Sequence, residues 1–541
     1  MAKKRILLIN DASFLKTGYG VYGHELFSRL AATNKYELCE LGCYAAKTNP
    51  NVQKVKWGFI PNIPSENHHV KEYSSNRANE WGAWKFEEAC VFFQPDVVIT
   101  FRDFWMDEFI NRSPFRRMFS YVTMPTVDSV PQSPLWLSNY LKCDRVLTYT
   151  NWGKEVLERQ TNGRLKVWDI APPAADPIAF RPVLDKAAHK RSWGIPEDSI
   201  VVGTVMRNQA RKLYQDLFHS FARTLSLLSA PIRSKTYLYC HLAYPDLFHD
   251  IPELVRDSGI GRHLLFTYNC LRCGKAFTSF FRDSKTYCSC GSFDAELPRA
   301  EHNLPTMTMG SIMNTFDLYV QYSTNEGFGM PLVEAAFCNV PVIGVRYSAM
   351  ESILENIGGI AIEPIRFSQD SNLKVYRALP DNKQFSDLLY AVIEKPNLAN
   401  WGKDTGNRAR QCYSYDVTAK VWEKHIDEMP KKAAWNSPSN IMNIENLKPP
   451  FHLRNHQFVE WCVMYILKDR SFMDDYMVSR VIKNLNYGRR TDLRLDLGMN
   501  DQGLGHNVNT PYSKQDALQE FLLIAEKNNL WEQYRWNTLT T

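Results

Sequence analysis

The chain has 541 residues, of which 44% are apolar, 23% charged and 13% aromatic, enough for three to four folded domains at about 150 residues each and too apolar for a generally disordered protein. Its formal net charge of +6, from 64 basic and 58 acidic residues, is mild for this length and permits a polyanionic partner without requiring one. The longest unbroken apolar run, residues 461–467, falls far short of the roughly 20 residues that span a bilayer, and residues 6–9 are too few for a signal-peptide core, so a cytoplasmic protein is expected.

Residues 5–10 predict a short, buried first strand, because a continuous apolar run, residues 6–9, follows the charged Lys3 and Lys4 and ends in the turn chemistry of Asn10 and Asp11. After the loop 11–19, Val21, Leu26, Phe27, Leu30 and Ala31 recur at helical spacing. Strand-like runs follow at 96–100, 119–122 and 145–149 with helix-length stretches between them, the alternation of a parallel sheet covered on both faces. The proline-rich stretch 171–182 lacks periodicity and is the expected interdomain linker. A second series then places strands at 200–204, 236–240, 264–266, 318–320 and 340–344. The fold class is therefore α/β, with two doubly wound domains over residues 1–178 and 179–429. Beyond them Pro430, Pro438, Pro449 and Pro450 interrupt a polar stretch, and helical patterns at 456–468, 471–485 and 516–528 predict a helical extension over 430–541.

The chemistry concentrates around residues 326–334. Two glycines let the backbone approach a ligand closely, and Pro331 suits the first turn of a helix, where no amide donor is needed. The start of that helix would aim the amides of Phe328, Gly329 and Met330 at an anion such as a diphosphate. Glu334 can accept hydrogen bonds from the vicinal hydroxyls of a ribose, and Glu326 from those of a sugar ring. The bland alternative is an acid that merely favours the helix dipole.

Cys270 and Cys273, then Cys288 and Cys290 after a hairpin-sized segment, include two Cys-Gly knuckles and suit a tetrahedral four-cysteine zinc ribbon inserted at 267–300. Four thiolates would fill the shell, so this zinc is structural rather than catalytic; four reduced cysteines in one loop are the other reading. In the extension, Arg489, Arg490, Arg494, Trp531, Tyr534, Arg535 and Trp536 could grip phosphates and stack on bases, or be a solvated loop and a buried helix face.

Residues 323–336, with Glu326, seven residues and Glu334 around a Glu-Gly-Phe-Gly loop, followed by Val340-Pro341-Val342-Ile343, resemble the signature of the retaining GT-B glycosyltransferases, the family that includes sucrose synthase and bacterial mannosyltransferases. The resemblance spans roughly residues 4–425. It implies a GT-B fold, two Rossmann-like domains facing a cleft, the first for the acceptor and the second for a nucleoside-diphosphate sugar donor. It implies that Arg207 and Lys212 embrace the donor diphosphate, that residues 176–182 are the interdomain hinge, and that Gly18 and Gly20 belong to a glycine-rich loop facing the same diphosphate. Where many relatives carry a histidine this chain has residues 124–128, and Asp128 is the nearest candidate, as a sugar contact, an acceptor-side carboxylate or a turn residue. Reaction on one face of the sugar needs no protein nucleophile, which leaves catalysis to positioning and electrostatics. By analogy with phages of the T-even kind, a hydroxylated base in duplex DNA is one acceptor compatible with the basicity, the ribbon and the extension; the protein would then work in the host cytoplasm. Glycan or protein acceptors are the rivals, and a non-catalytic nucleotide-sugar or nucleic-acid adaptor is the runner-up. Donor sugar, nucleotide base and oligomeric state are not fixed by the sequence.

Overall fold

The computed structural model describes residues 3–65, 70, 73–74, 76–113, 115–116, 118–281, 285–299, 304–394, 397–431, 449–467, 475–488 and 511–527. Arg489, Arg490, Arg494, Trp531, Tyr534, Arg535 and Trp536 lie outside them. The chain forms two compact units, one of Met1–Pro125, Ser138–Val146 and Glu423–Thr541, the other of Thr126–Leu137 and Leu147–Trp422. No helix among the described residues is long and apolar enough to cross a membrane.

The first sheet contains β1 (Lys4–Asp11), β2 (Tyr36–Ala46), β3 (Gly58–Ile63), β4 (Val97–Thr100), β5 (Ser120–Thr123), β6 (Arg145–Thr148) and β7 (Val167–Ile170), in the order β3-β2-β1-β4-β5-β6-β7. Pairing is parallel from β3 through β6. Ile6, Leu7, Leu8 and Ile9 are all fully buried, as a central strand covered on both faces requires. Leu7, Ile9, Leu41, Val98 and Tyr121 meet Phe86, Phe115 and Phe119 in one core. The strands β2, β3 and β7 are absent from the sequence-based expectation. In β2 the buried Glu40 breaks the apolar run; it accepts from Ser13 N (2.7 Å) and Trp57 Nε1 (2.8 Å). β3 carries Pro61, which its edge position tolerates.

The second unit holds β8 (Ile200–Val205), β9 (Thr236–His241), β10 (Leu264–Cys270), β11 (Ala276–Phe280), β12 (Lys285–Thr286), β13 (Ala295–Glu296), β14 (Leu318–Gln321), β15 (Val342–Val345) and β16 (Ile360–Ile362). Its order is β12-β13-β10-β9-β8-β14-β15-β16, with β11 also on β10. The parallel strands alone run third, second, first, fourth, fifth, sixth, the Rossmann order that β1–β6 also follow. Val202, Leu238, Phe266, Val320 and Ile343 form its core with Phe218 and Leu389. In each sheet the order reverses beside the first strand, and loops at the carboxyl ends of the strands flanking that point are where such sheets bind ligands. A hairpin, β17 (Pro364–Gln369) and β18 (Tyr376–Pro380), follows as a separate two-stranded sheet.

Helices Asn455–Cys462, Asp475–Tyr487 and Lys514–Lys527 lie within residues 430–541. Phe458, Val459, Ile466, Val481, Leu518 and Phe521 give it a core of its own, each fully buried large side chain contributing about 1.5–3 kcal/mol. Helix Tyr415–Glu428 ends against β1, where Lys4 Nζ donates to the carbonyls of Ile426 (2.7 Å), Asp427 (3.0 Å) and Met429 (2.9 Å), satisfying groups a helix C-terminus leaves unpaired.

Candidate functional site

The loops after β8 and β14 leave adjacent parallel strands at the reversal point of the second sheet. Thr324 N donates to Arg211 O (2.8 Å), and Arg211 NH1 to Asn325 O (2.9 Å), so the two loops are tied along their length. This brings Lys212 onto Glu326, although 114 positions separate them: Lys212 Nζ donates to Glu326 Oε1, and Arg211 NH1 to Oε2 at 2.9 Å. Gln321 Nε2 (2.6 Å) and Ser323 Oγ (2.8 Å) also donate to Oε1, and Tyr319 OH donates to Gln321 in turn. Burial alone would raise the carboxyl of Glu326, but the charges and hydrogen bonds of Lys212 and Arg211 outweigh it and hold the group far below the ordinary carboxylate range. Burial pulls the Lys212 ammonium down to about 8 against the opposing pull of Glu326. Arg207, on the same loop, instead makes a two-point pair with Asp246 at 3.0 and 3.1 Å and keeps half of its side chain exposed. Arg211 was missing from the sequence-based set, although it stands beside Lys212 in the same loop.

The helix expected at Pro331 runs Met330–Phe337, with Pro331 in its first turn. Its N-cap is Gly329 at φ 95°, a left-handed conformation that glycine adopts without strain, and no side chain caps the helix. The amides of Phe328, Gly329 and Met330 donate to nothing among the described residues. The Phe328 ring is buried against Tyr149 and Tyr413, which fixes the backbone of the loop. Glu334 is half-buried, its carboxylate makes no hydrogen bond or ion pair to a described residue, and desolvation raises it to about 7. Glu326 N donates to Ser348 Oγ (2.9 Å); Ser348 has φ 58° and ψ −150°, a strained backbone for a residue with a Cβ, held by the site it supports.

Asp128 reaches the same loop. Its Oδ2 accepts from Asn325 Nδ2 (2.5 Å) and Arg377 NH1 (3.2 Å), and its Oδ1 from Ser129 Oγ (2.7 Å). Arg377 lies on β18, whose Ala378 N donates to Thr324 O (3.1 Å) and whose Tyr376 N donates to Val130 O (2.6 Å). The hairpin therefore clasps Asp128 and the Glu326 loop together. In the first unit, the loop after β1 is fixed by Asn10 Nδ2 to Tyr19 O (2.6 Å) and Thr17 Oγ1 to Asp11 Oδ2 (2.7 Å). A Cβ on Gly20 would stand 2.5 Å from Leu15 O, whereas one on Gly18 would meet nothing within 4 Å. The fold demands Gly20 and leaves Gly18 open to solvent.

The four cysteines converge as well. Cys270 and Cys290 Sγ are 3.7 Å apart, Cys273 and Cys288 Sγ 3.6 Å, and all four lie within 4.8 Å of one another. A tetrahedral zinc with sulfur ligands at about 2.3 Å needs sulfurs about 3.8 Å apart, so the set fits that ion. Gly274 and Gly291 turn the two knuckles at φ 70° and 85°, which explains Cys-Gly at each.

Residues 302–390 match the family model described as glycosyl transferases group 1. The chain is 28% identical over 123 residues to the GtfA subunit of the UDP-N-acetylglucosamine–peptide N-acetylglucosaminyltransferase of Streptococcus parasanguinis, covering 22% of this chain and 23% of that protein. It is 25% identical over 229 residues to the D-inositol 3-phosphate glycosyltransferase of Corynebacterium kroppenstedtii, covering 41% and 42%. The chain thus spans less than half the length of either relative. Among solved structures it is similar to a sucrose-phosphate synthase from Thermosynechococcus elongatus (TM-score 0.56, 14% identity, 79% of this chain and 99% of that one). It is also similar to Anabaena HepE in complex with UDP and glucose (TM-score 0.54, 13% identity, 78% and 99%). Likeness at this identity speaks for the fold. The chain has the GT-B fold, and its residues 302–390 are similar to the glycosyl transferases group 1.

Proposed function

We propose that this protein moves a sugar, with retention, from a nucleoside-diphosphate sugar to an acceptor hydroxyl. The observation that carries the reading is the group assembled at the carboxyl ends of β8 and β14: three undirected amides at an uncapped helix start, the cations Arg211 and Lys212, and the unpartnered carboxylate of Glu334. In this reading the amides of Phe328, Gly329 and Met330 receive the diphosphate, and Arg211 and Lys212 stabilise the charge that grows on the departing nucleotide. Arg207 would join them by leaving Asp246. Glu334 accepts from the ribose hydroxyls, and Glu326 orients Lys212 and the sugar ring. A carboxylate already receiving four hydrogen bonds is a poor nucleophile, which favours reaction on one face of the sugar over a covalent intermediate on Glu326.

The fit of the four sulfurs supports a structural zinc. For the acceptor we propose a hydroxylated base in DNA, as phage enzymes use, on the support of the net charge and of exposed cations on the ribbon. The relatives' names, with a peptide and an inositol phosphate as acceptors, support a protein or small polyol as the alternative.

The test is incubation with a panel of labelled nucleotide sugars, first alone and then with hydroxymethylated duplex DNA, peptide and polyol acceptors. Slow hydrolysis of one donor, faster transfer to DNA and an unchanged anomeric coupling constant in the product are expected. Donor binding without hydrolysis or transfer would leave an adaptor, and inversion would remove the proposed mechanism.

A further inference from the structure

We infer that the tip of the four-cysteine ribbon binds single-stranded nucleic acid, with unpaired bases stacking on Tyr287 and Phe293 and phosphates held by Arg272, Lys275 and Lys285. The tip is not used by the proposed transfer. The inference narrows the DNA reading of the acceptor to bases outside the helical stack, yet does not need that reading to hold.

Tyr287 is 70% exposed and Phe293 50%, and their ring centroids stand 4.7 Å apart at an interplanar angle of 53°. The register of β12 on β13 sets Thr286 opposite Ala295, which places both rings at the end of that short ladder. Leu271 N donates to Asp294 O (3.1 Å) and so lays Leu271, itself 54% exposed, along the same edge. The sulfur contacts bring the first knuckle, with Arg272 and Lys275, against the second. Arg272, Lys275 and Lys285 are exposed and form no ion pair with a described residue. Residues 270–293 contain one carboxylate, Asp283, which lies outside the described residues; the neighbouring Asp294 accepts from Ser292 Oγ, and Glu296, opposite Lys285 in the ladder, is paired with Arg299.

A paired aromatic surface left in water loses the burial that would ordinarily keep such rings inside. Its flat faces suit the faces of bases, and a duplex hides those faces in its own stack, whereas a single strand offers them. The positive charge around the rings matches the phosphates of that strand. An apolar protein partner would use the rings and leave the three cations unmatched.

The experiment measures binding of a labelled oligothymidylate of about 12 nucleotides, and of a duplex of equal length, to the full-length zinc-loaded protein between about 50 and 300 mM NaCl. The single strand is expected to bind about tenfold tighter than the duplex, with a log–log salt slope of about −2 for three phosphates at roughly 0.7 each. The double variant Tyr287→Ala/Phe293→Ala should weaken single-strand binding by about tenfold or more at an unchanged salt slope. The triple variant Arg272→Gln/Lys275→Gln/Lys285→Gln should flatten the slope toward zero. Zinc content and nucleotide-sugar binding are measured on both variants and should match the parent, showing that the ribbon and donor site persist. Absent or salt-insensitive binding by the parent, preference for the duplex, or indifference to ring removal would overturn the inference. Oligothymidylate binding by a protein that takes no nucleotide sugar would instead overturn the transferase reading and leave this one standing.

Discussion

Lys212→Met, Glu326→Gln and their combination test whether the ion pair at the heart of the site is a folding device, a catalytic one or both. Each side chain of the pair is only 7% exposed, so water can replace neither partner. Breaking a buried pair from one side costs about 3–5 kcal/mol, because the other charge is left without its counterpart. For Lys212→Met the lower end applies, since Arg211, Gln321 and Ser323 still donate to Glu326. For Glu326→Gln the cost comes from the ammonium, whose side-chain partner among the described residues is Glu326. The double variant buries neither charge and should cost about as much as one single variant, a coupling of about 2 kcal/mol or more where independent sites would simply add. Hydrogen exchange of peptides covering residues 206–213 and 322–330 reads the local opening free energy without assuming a two-state chain. Turnover is measured in parallel. Exchange protection should recover in the double variant while transfer stays lost in all three, because the charge that builds on the leaving nucleotide still lacks Lys212. Additive losses of protection would refute the pairing as an energetic unit, and recovery of turnover along with protection would refute the catalytic role.

Burial holds the Glu334 carboxyl near 7, and only its ionised form accepts from both ribose hydroxyls, so nucleotide-sugar affinity should rise between about pH 6 and 8, and Glu334→Gln should bind about tenfold more weakly with a flat profile; calorimetry across that range checks it. In the free protein the linkage has the opposite sense: a group at 4.5 unfolded and about 7 folded gives its stability in full below pH 4.5 and loses it as pH rises through 7. Purified protein should carry about one zinc per chain, and Cys273→Ser or Cys290→Ser should release it and open the 270–293 segment to protease; metal analysis finding none in reducing buffer would refute the ribbon.

The strands that could be read from the sequence are those whose side chains are buried on both faces. Ile6 to Ile9 and Val97 to Ile99 leave an unbroken apolar record because nothing on either side is wet. β2 left none, since Glu40 is buried in it on the strength of two hydrogen bonds from distant loops, which no local pattern announces. Within the site, Glu326, Glu334 and the three amides were legible because they share one turn of loop and helix, so spacing alone fixes their relation. The pairing of Lys212 with Glu326 was not, because it depends on β8 and β14 becoming neighbours across 114 residues. Asp128 shows the same limit from another side. The sequence could offer it as a sugar contact, an acceptor-side carboxylate or a turn residue, but its bonds to Asn325 and Arg377 exist only once the hairpin folds back over the loop.

The repeated strand order also bears on why one unit rather than the other suits a diphosphate. Both sheets reverse beside their first strand, so both present a pair of loops, after β1 and β4 in one unit and after β8 and β14 in the other. In the first unit the fourth-strand loop carries Arg102, which is fully buried and spent internally: it donates to Asp107, to Trp81 O (3.1 Å) and to Cys43 Sγ (3.2 Å). Asp11, at the end of β1, adds a further carboxyl to that cluster, so the buried guanidinium of Arg102 is balanced by its own neighbours. In the second unit, Lys212 and Arg211 both donate to Glu326, and Arg211 is 38% exposed. Beside them the helix start at Gly329 adds uncapped amides. The same topology thus yields one reversal point whose arginine is buried on its own acids and another that presents the part-exposed Arg211 beside an uncapped helix start. A doubly negative ligand would find at the second the donors that the first keeps for its own acids, which is the electrostatic argument for proposing the loops after β8 and β14 as the site of the donor diphosphate.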